Sequence, residues 1–135
     1  MKIKVAAGAF MPERAHATDA GLDLKSPCDK WIHPGEHAMI DTGVSVAIPD
    51  GYVGLLLSKS GLMSKGLTSR GVIDSSYRGN IKVVLYNHGS DGYVVHRGDK
   101  VTQMVLLPII TPELEVVDEL DETERGDGGF GSTGL

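Results

Sequence analysis

A carboxylate and a tyrosine three positions apart, Asp74 and Tyr77, are the residues whose types and spacing best suit chemistry. They lie in residues 71–82, which are typical of a strand, a turn and a second strand. A carboxylate at the end of an apolar strand can orient and deprotonate a water for attack on phosphorus. The tyrosine ring can pack against a sugar. Taken alone, the segment is also typical of an Asx turn beside an exposed tyrosine.

A second segment, residues 58–62, combines hydroxyl groups with a cation. Lys59, Ser60 and Gly61 follow an apolar strand and stand at the start of the one helix that the sequence predicts, over residues 60–65. Hydroxyl, ammonium and backbone N–H groups at a helix start can bind an anion. The alternative is an ordinary serine cap next to a surface lysine.

The C-terminal residues 125–135 carry one cation, one aromatic ring and two hydroxyl groups on a backbone rich in glycine. Closely spaced N–H groups with serine and threonine hydroxyls suit phosphate oxygens. A ring beside them suits a base. We therefore expect an arm that is loose by itself and ordered on a nucleotide, and an inert tail is the alternative.

Short apolar segments separated by turn-forming clusters predict the elements that must position these residues. Strands are predicted over residues 2–6, 37–41, 44–48, 52–57, 81–87, 93–96 and 101–109. This pattern, without long helical periodicity, favours an all-β sandwich, jelly roll or barrel. Residues 82–86 and 104–110 are almost continuously apolar, which predicts strands buried on both faces. The acids Asp19 and Asp23 are predicted to lie in a turn.

The length of 135 residues fits one domain with a sizeable core. A change of composition after Pro112 separates a β domain, residues 1–112, from an acidic linker and arm, residues 113–135. The net charge is −5, and residues 113–127 hold eight acids and one arginine, so the rest of the chain carries +2. The lack of a broad basic face argues against a nucleic-acid polymer as the partner, but not against a small phosphorylated ligand.

Two features of the sequence predict the cellular setting. No apolar run approaches the ~20 residues that a membrane span needs, so no membrane partner is expected. The single cysteine, Cys28, excludes an internal disulfide and fits a reducing, cytoplasmic setting. We expect Cys28 to be a partly buried small apolar residue, not a reactive thiol.

Five segments in order resemble the five motifs of the trimeric dUTPase family. They are residues 19–24, 59–62, 71–79, 97–103 and 125–134. The second and third, with Tyr86-Asn87-His88 after them, are most similar to members from Gram-positive bacteria and their phages. The resemblance implies a β-jelly roll with one short helix and a flexible glycine-rich C-terminal arm, assembled as a homotrimer with shared active sites. It implies hydrolysis of dUTP to dUMP and pyrophosphate, which lowers dUTP and supplies dUMP for dTMP synthesis.

The resemblance assigns the chemical step to the third segment. Asp74 is implied as the catalytic carboxylate, which activates a water for in-line attack on the α-phosphorus. Tyr77 would pack on the deoxyribose and leave no room for a 2′-hydroxyl. The backbone of the hairpin would read the uracil edge and exclude the thymine methyl, with Gly71, Val72, Ile73 and Lys82 as the substrate-binding positions.

The resemblance assigns the phosphates to the first, second and fourth segments. Lys59, Ser60, Gly61 and Gln103 fall on positions that contact phosphate. Asp23 falls on a position that organises the metal region indirectly, through water. The implied cofactor, Mg²⁺, would be held mainly by the substrate phosphates and by waters.

The fifth segment is implied as a lid over the bound nucleotide. Arg125 would pair with the γ-phosphate and Phe130 would stack on the uracil. Gly131, Ser132 and Thr133 would close over the phosphates and exclude water. Ordering roughly ten residues costs about 1–2 kcal/mol of backbone entropy each, so the arm should close only when all three phosphates are present.

Two positions depart from the family's usual pattern. Lys59 stands where an arginine is usual, and a lysine keeps the charge but loses the bidentate fork, so phosphate binding is expected to be retained but weaker. Thr68 stands where many members have an asparagine that contacts uracil. This argues against that contact but not against the activity.

Other functions are compatible with parts of the pattern. A dCTP deaminase of the same fold would need a catalytic glutamate in the central region, and residues 51–112 contain none. A regulatory protein of the phage type, which contacts a repressor with or without turnover, stays open, and an interaction insensitive to dUTP would reveal it. A purely structural jelly roll would leave the arm without a purpose.

Overall fold

The computed structural model describes residues 1–129, which form ten strands and one short helix. An all-β fold with one short helix is therefore confirmed. The elements are β1 (Lys2–Val5), β2 (Leu22–Lys25), β3 (Lys30–Ile32), β4 (His37–Asp41), β5 (Val44–Ala47), β6 (Tyr52–Leu57), α1 (Ser60–Met63), β7 (Leu67–Ile73), β8 (Lys82–Asn87), β9 (Tyr93–Val95) and β10 (Lys100–Pro108). In this part of the chain no helix is long and apolar enough to cross a membrane.

Six strands form one antiparallel sheet in the order β2-β10-β6-β7-β8-β4, and β1–β5 and β3–β9 form two small ladders beside it. Alternate side chains of these strands meet in a single apolar core. Its largest fully buried members are Leu24, Ile32, Ile40, Leu56, Leu67, Ile81, Leu85 and Met104. The core therefore joins the large sheet to the small ladders through β3 and β5.

The predicted strands agree with the structure to within a residue at each end. The predictions over residues 37–41 and 52–57 match β4 and β6, and the other five differ at one or both ends by one residue. The helix ends at Met63, two residues before its predicted end, ahead of Gly66 with its positive φ of 78°. The strands β2 and β3 and the first residues of β7 were not predicted.

Three sequence predictions about burial and position are wrong. Asp23 lies in the strand β2 and not in a turn, because two distant lysines neutralise it there. The two segments predicted to be buried on both faces are not, because one face of the sheet is open there. Lys82 and Tyr86 of β8 are exposed, and so are Leu107, Ile109 and Ile110 at the end of β10 and after it. The thiol-bearing residue Cys28 is exposed and not partly buried, since it follows β2 in a surface turn.

The core packs closely against β6 at Gly54. Gly54 lies opposite Ile73 in this ladder. A β-carbon on Gly54 would come within 2.8 Å of Ile48 Cδ1 and 3.0 Å of Met104 Sδ. A glycine at this position therefore lets Ile48 and Met104 pack closely on β6, and Cβ of Ile73 on β7 lies 3.3 Å from the same place.

Candidate active site

The first part of the candidate site is a buried carboxylate that two lysines share. Asp23 lies on β2 opposite Gln103 of β10, and only 6% of its side chain is exposed. The Lys100 ammonium lies 2.8 Å from Oδ2, and the Lys59 ammonium donates a hydrogen bond to Oδ1. The structure thus brings together residues from three of the five sequence segments.

The lysines keep Asp23 ionised. Burial by itself raises the pKa of this carboxyl, but hydrogen bonds and charge from Lys100 and Lys59 outweigh it, and the pKa lies below the ordinary aspartate value. The hydrogen bond to Asp23, followed by weaker interactions with Glu13, raises the pKa of Lys100. At neutral pH the group therefore holds one buried anion between two cations.

Glu13 and Lys25 extend this ionic network toward the N-terminal loop. Lys25 Nζ lies 2.8 Å from Glu13 Oε1, and Lys100 Nζ lies 3.5 Å from the same oxygen. The side-chain hydrogen bond from Lys25 is the main reason that the pKa of Glu13 is lowered. Sequence reasoning missed the roles of Glu13 and Lys100, although Lys100 stands inside the quoted segment 97–103.

A hydrogen-bond network fixes the backbone before Lys59. The Ser69 N–H donates to Ser58 Oγ at 2.8 Å, and that hydroxyl donates to the Ser69 carbonyl at 2.9 Å. Gln103 Nε2 donates to the Ser58 carbonyl at 3.2 Å. The side chain of Gln103 also packs against Gly21, where a β-carbon would overlap it. The predicted phosphate-contacting residue Gln103 is therefore hydrogen-bonded to the residue just before the second segment.

The helix start beside Lys59 is open. Lys59 is the N-cap residue of α1 in an extended conformation, and no side chain caps the helix, so the alternative of an ordinary serine cap is wrong. Gly61 is exposed, with nothing within 4 Å of the place where a β-carbon would lie. A cavity of about 260 Å³ here is lined by Lys59, Gly61, Leu62, Lys65, Tyr93, Asp99 and Lys100. Three ammonium groups around one cavity suit a polyanion.

Asp74 and Tyr77 form the second part of the candidate site. Asp74 is exposed directly after β7, and its carbonyl accepts a 3.1 Å hydrogen bond from the Tyr77 N–H. The Tyr77 hydroxyl donates to the Asn80 carbonyl at 2.9 Å. The ring lies over Gly79, where a β-carbon would come within 2.6 Å of Cζ. This turn presents a carboxylate and a half-exposed ring on the same surface loop.

The hairpin that carries Asp74 is open near its turn. β7 and β8 pair from Leu67↔Asn87 to Ser69↔Leu85, and across the described residues no ladder joins them beyond that point. There only the outer edges are paired, that of β7 with β6 and that of β8 with β4. The inner backbone edges at residues 71–73 and 82–84 therefore face a gap. At the paired end, Thr68 Oγ1 lies 2.7 Å from His88 Nε2, so this hydroxyl is already engaged.

The two parts of the site do not meet within one chain. In the β6–β7 ladder, Leu57 is opposite Arg70 and Gly54 is opposite Ile73. Lys59 lies beyond one end of this ladder and Asp74 beyond the other, about six strand residues or roughly 20 Å apart. Within one chain, the Asp74 carboxylate is therefore far from the cluster of Asp23, Lys59 and Gln103.

The segment after β10 has no helix or strand among residues 109–129. The side chains of Leu114 and Val116 are 95% and 98% exposed. Arg125 Nε donates to the Gly128 carbonyl at 3.0 Å in a local turn. The predicted residues Phe130, Gly131, Ser132 and Thr133 lie outside the described residues.

The acidic side chains near the cavity allow one binding mode for Mg²⁺. Residues 1–129 include no cluster of three or more histidine, cysteine, aspartate or glutamate side chains that could enclose a metal. Mg²⁺ is commonly bound through one or two carboxylates together with substrate phosphates and waters. Asp23 is a single buried carboxylate beside a polyanion cavity, and a lysine bonds each of its oxygens, so it fits this mode in its indirect form, through water.

A protein-family model and two curated sequences that resemble this chain carry descriptions of the same enzyme. A family model described as dUTPase matches residues 8–134. The deoxyuridine 5′-triphosphate nucleotidohydrolase of Clostridium tetani is 45% identical over 130 residues, covering 93% of this chain and 90% of its own. The protein of the same name from Gloeothece citriformis is 43% identical over 142 residues, covering 100% of this chain and 98% of its own.

Solved structures show the same architecture. The Staphylococcus bacteriophage 80alpha dUTPase with dUPNHPP has a TM-score of 0.92 and 37% identity, covering 99% of this chain and 98% of the phage chain. A mutant dUTPase from phage phi11 of S. aureus, described with a structural Mg(II) ion, has a TM-score of 0.83 and 36% identity over 90% of this chain and 98% of its own. The predicted jelly-roll fold is confirmed.

Proposed function

The chain belongs to the dUTPase family of dUTP diphosphatases, and from this premise we propose that it hydrolyses dUTP to dUMP and pyrophosphate. The observation that carries the proposal is the family match over residues 8–134, which includes all five of the segments that the sequence singles out. The reaction lowers dUTP and supplies dUMP for dTMP synthesis. The cytoplasmic location expected from the lone cysteine stays a prediction.

In the proposed chemical step, Asp74 holds a water and takes its proton. The water oxygen forms a bond to the α-phosphorus in line with the bond that breaks, and the bridging oxygen leaves with pyrophosphate. The exposed position of Asp74 at the end of β7 supports this role because a nucleotide can reach the carboxylate. Tyr77 packs on the deoxyribose, and its hydroxyl bond to Asn80 holds the ring in place.

The open hairpin is the proposed uracil site. A base can hydrogen-bond with backbone N–H and C=O groups where two strand edges diverge, because those groups lack a ladder partner. Gly71, Val72, Ile73 and Lys82 border the gap, and the pairing that resumes at Ser69 limits its depth. A tight gap of this kind has no room for the methyl group of thymine.

Lys59, Ser60, Gly61 and Gln103 are the proposed phosphate contacts. The three-lysine cavity beside the open start of α1 supports this assignment. Mg²⁺, when bound, neutralises charge on the triphosphate and the leaving pyrophosphate. Asp23 would hold it indirectly, through water, at the edge of the phosphate site.

The proposed enzyme is a homotrimer with active sites shared between subunits. The support is the separation of roughly 20 Å between Asp74 and the phosphate cluster within one chain. One bound triphosphate cannot contact both across this distance. A neighbouring copy can supply Asp74 to the Lys59 cluster of the first. The nearly complete exposure of Leu114 and Val116 supports contact of the linker with another subunit.

The division into a domain of residues 1–112 and a linker with its arm, residues 113–135, is part of the same proposal. The linker carries Arg125 to the γ-phosphate of a neighbouring site. Phe130 then stacks on the uracil, and Gly131, Ser132 and Thr133 close over the phosphates. Closure excludes water and fixes the triphosphate for attack.

Pyrophosphate release tests the function. With Mg²⁺, the intact chain should release pyrophosphate from dUTP and not from dCTP, dTTP or UTP, and Asp74→Asn should abolish release. Asp50→Asn, the same change at an exposed turn outside the five segments, is the matched control and should retain it. Ammonia release from dCTP would instead identify the deaminase, and dUTP binding without turnover would overturn the hydrolase.

A regulatory role is the second candidate. The phage 80alpha dUTPases, 37% identical to this chain, are described as controlling transfer of virulence genes by a G protein-like mechanism. A repressor-type protein partner is therefore compatible with hydrolysis in this chain. Binding of such a partner by Asp74→Asn, unchanged by dUTP, would support a role independent of turnover.

A further inference from the structure

The buried Asp23 carboxylate has two ammonium partners. Lys59 bonds one carboxylate oxygen and Lys100 bonds the other. Breaking a buried ion pair is most costly when the remaining charge has no partner, and here the departure of one lysine leaves the other in place. One of the two lysines can therefore leave without abandoning a buried, unpaired charge.

The two lysines are not equivalent. Lys100 lies between two carboxylates, 2.8 Å from Asp23 Oδ2 and 3.5 Å from Glu13 Oε1. Lys59 contacts only Asp23 among the carboxylates of the described residues. Its backbone is the extended cap of the short helix, and its side chain, like that of Lys100, borders the polyanion cavity. Lys59 is therefore the partner that is free to move.

We propose that Lys100 is a positioning residue that keeps Asp23 neutralised while Lys59 transfers its ammonium from that carboxylate to the phosphates of the nucleotide. The proposal rests on the proposed function, because it concerns the same phosphate site. Without Lys100, the buried Asp23 has Lys59 as its only ammonium partner and retains it. The phosphates of the nucleotide then compete with Asp23 for the Lys59 ammonium.

The role predicts a specific pattern of affinities. The probe is α,β-imido-dUTP with Mg²⁺, and the measurement is its Kd by titration calorimetry. Lys100→Met should weaken binding about 10-fold, a usual size for coupling between groups. Lys100→Arg, which keeps the cation, should restore binding to within about 2-fold. Lys25→Met, which removes an equal charge that touches Glu13 but not Asp23, sets the baseline for general electrostatics.

The decisive comparison uses Asp23→Asn as the background. With a neutral side chain at this position, Lys59 is no longer retained, so adding Lys100→Met should change Kd by no more than Lys25→Met does. A loss of about 10-fold that persists in this background would show direct contact of Lys100 with phosphate and would overturn the proposal. Thermal unfolding of each variant identifies those that fail to fold, and Lys100→Arg then carries the comparison.

The readout separates this proposal from the proposed function. Because Kd is measured with an analogue that is not hydrolysed, binding with the expected pattern supports the role of Lys100 even if dUTP is not turned over. The absence of pyrophosphate release would then overturn the hydrolase alone. An unsubstituted chain that does not bind the analogue would overturn both.

Discussion

At the residue scale, the stability of the site depends on one ionised carboxylate. Asp23→Asn should lower the free energy of unfolding by about 2 kcal/mol at pH 7, less than for a fully buried pair because both lysines keep contact with water. The pKa of Asp23 is lowered in the folded state, so its stabilisation is present above the ordinary aspartate value of about 3.9. It is lost as the pH falls through the lower folded value.

The check is denaturant unfolding of both proteins at pH 7 and pH 3, without nucleotide or metal and at one protomer concentration. The difference in unfolding free energy should shrink at pH 3. Asp50→Asn, at an exposed turn, should differ from the unsubstituted chain by less than about 0.5 kcal/mol at both values. An equal difference at both pH values would assign the loss from Asp23→Asn to packing and not to charge.

Single residues were predictable where the local sequence carries their chemistry. Asp74 and Tyr77 stand in one turn, and the structure places them together there. Glu13 and Lys100 were not found because their roles depend on side-chain contacts between distant positions, 12 apart for Glu13 and Lys25, 77 for Asp23 and Lys100, and 87 for Glu13 and Lys100. The local sequence pattern does not indicate which distant lysine contacts a given carboxylate.

At the scale of elements, the turn that follows β7 fixes the proposed sugar platform. Gly79→Ala places a methyl group against the Tyr77 ring and must displace it. We expect kcat/KM for dUTP to fall about 10-fold and the preference for dUTP over UTP to narrow, because the ring no longer excludes the 2′-hydroxyl. Steady-state pyrophosphate release from the two nucleotides measures both quantities.

Tyr77→Phe is the matched control because it keeps the ring and removes only the hydroxyl bond to Asn80. This variant should retain the preference for dUTP, with a smaller loss of kcat/KM than Gly79→Ala. If the preference survives in Gly79→Ala, or disappears in Tyr77→Phe, the ring is not the element that discriminates the sugar.

Elements were predictable when they were long enough to show alternation or when turn residues bounded them, as for β4 and β6. The strand β3 has three residues, too few to display a period, and β2 has four with a buried charge in the middle. The opening of the β7–β8 hairpin was also not predictable. It depends on how far the ladder between β7 and β8 extends while their outer edges stay paired with β6 and β4, and this is a property of the whole sheet.

At the scale of the whole molecule, the separation of Asp74 from Lys59 makes contact between subunits a requirement of the proposed mechanism, and the proposed assembly is a trimer. Two inactive variants therefore test it directly. Asp74→Asn keeps an intact phosphate cluster, and Lys59→Met keeps an intact catalytic turn. If these parts meet between subunits, a mixed trimer contains complete sites that neither parent trimer has.

Mixing equal amounts of the two variants, unfolding them together and refolding them should restore about a quarter of the unsubstituted activity, since random assembly gives each site both intact parts with that frequency. The measurement is pyrophosphate release from dUTP at fixed total protein. Each variant taken through the same cycle alone controls for damage, and unfolded and refolded unsubstituted chain sets the full scale. Activity that stays at the level of the separate variants would place both parts of each site in one chain, and the Asp74–Lys59 distance within that chain would then have to close by a movement of β7 against β6.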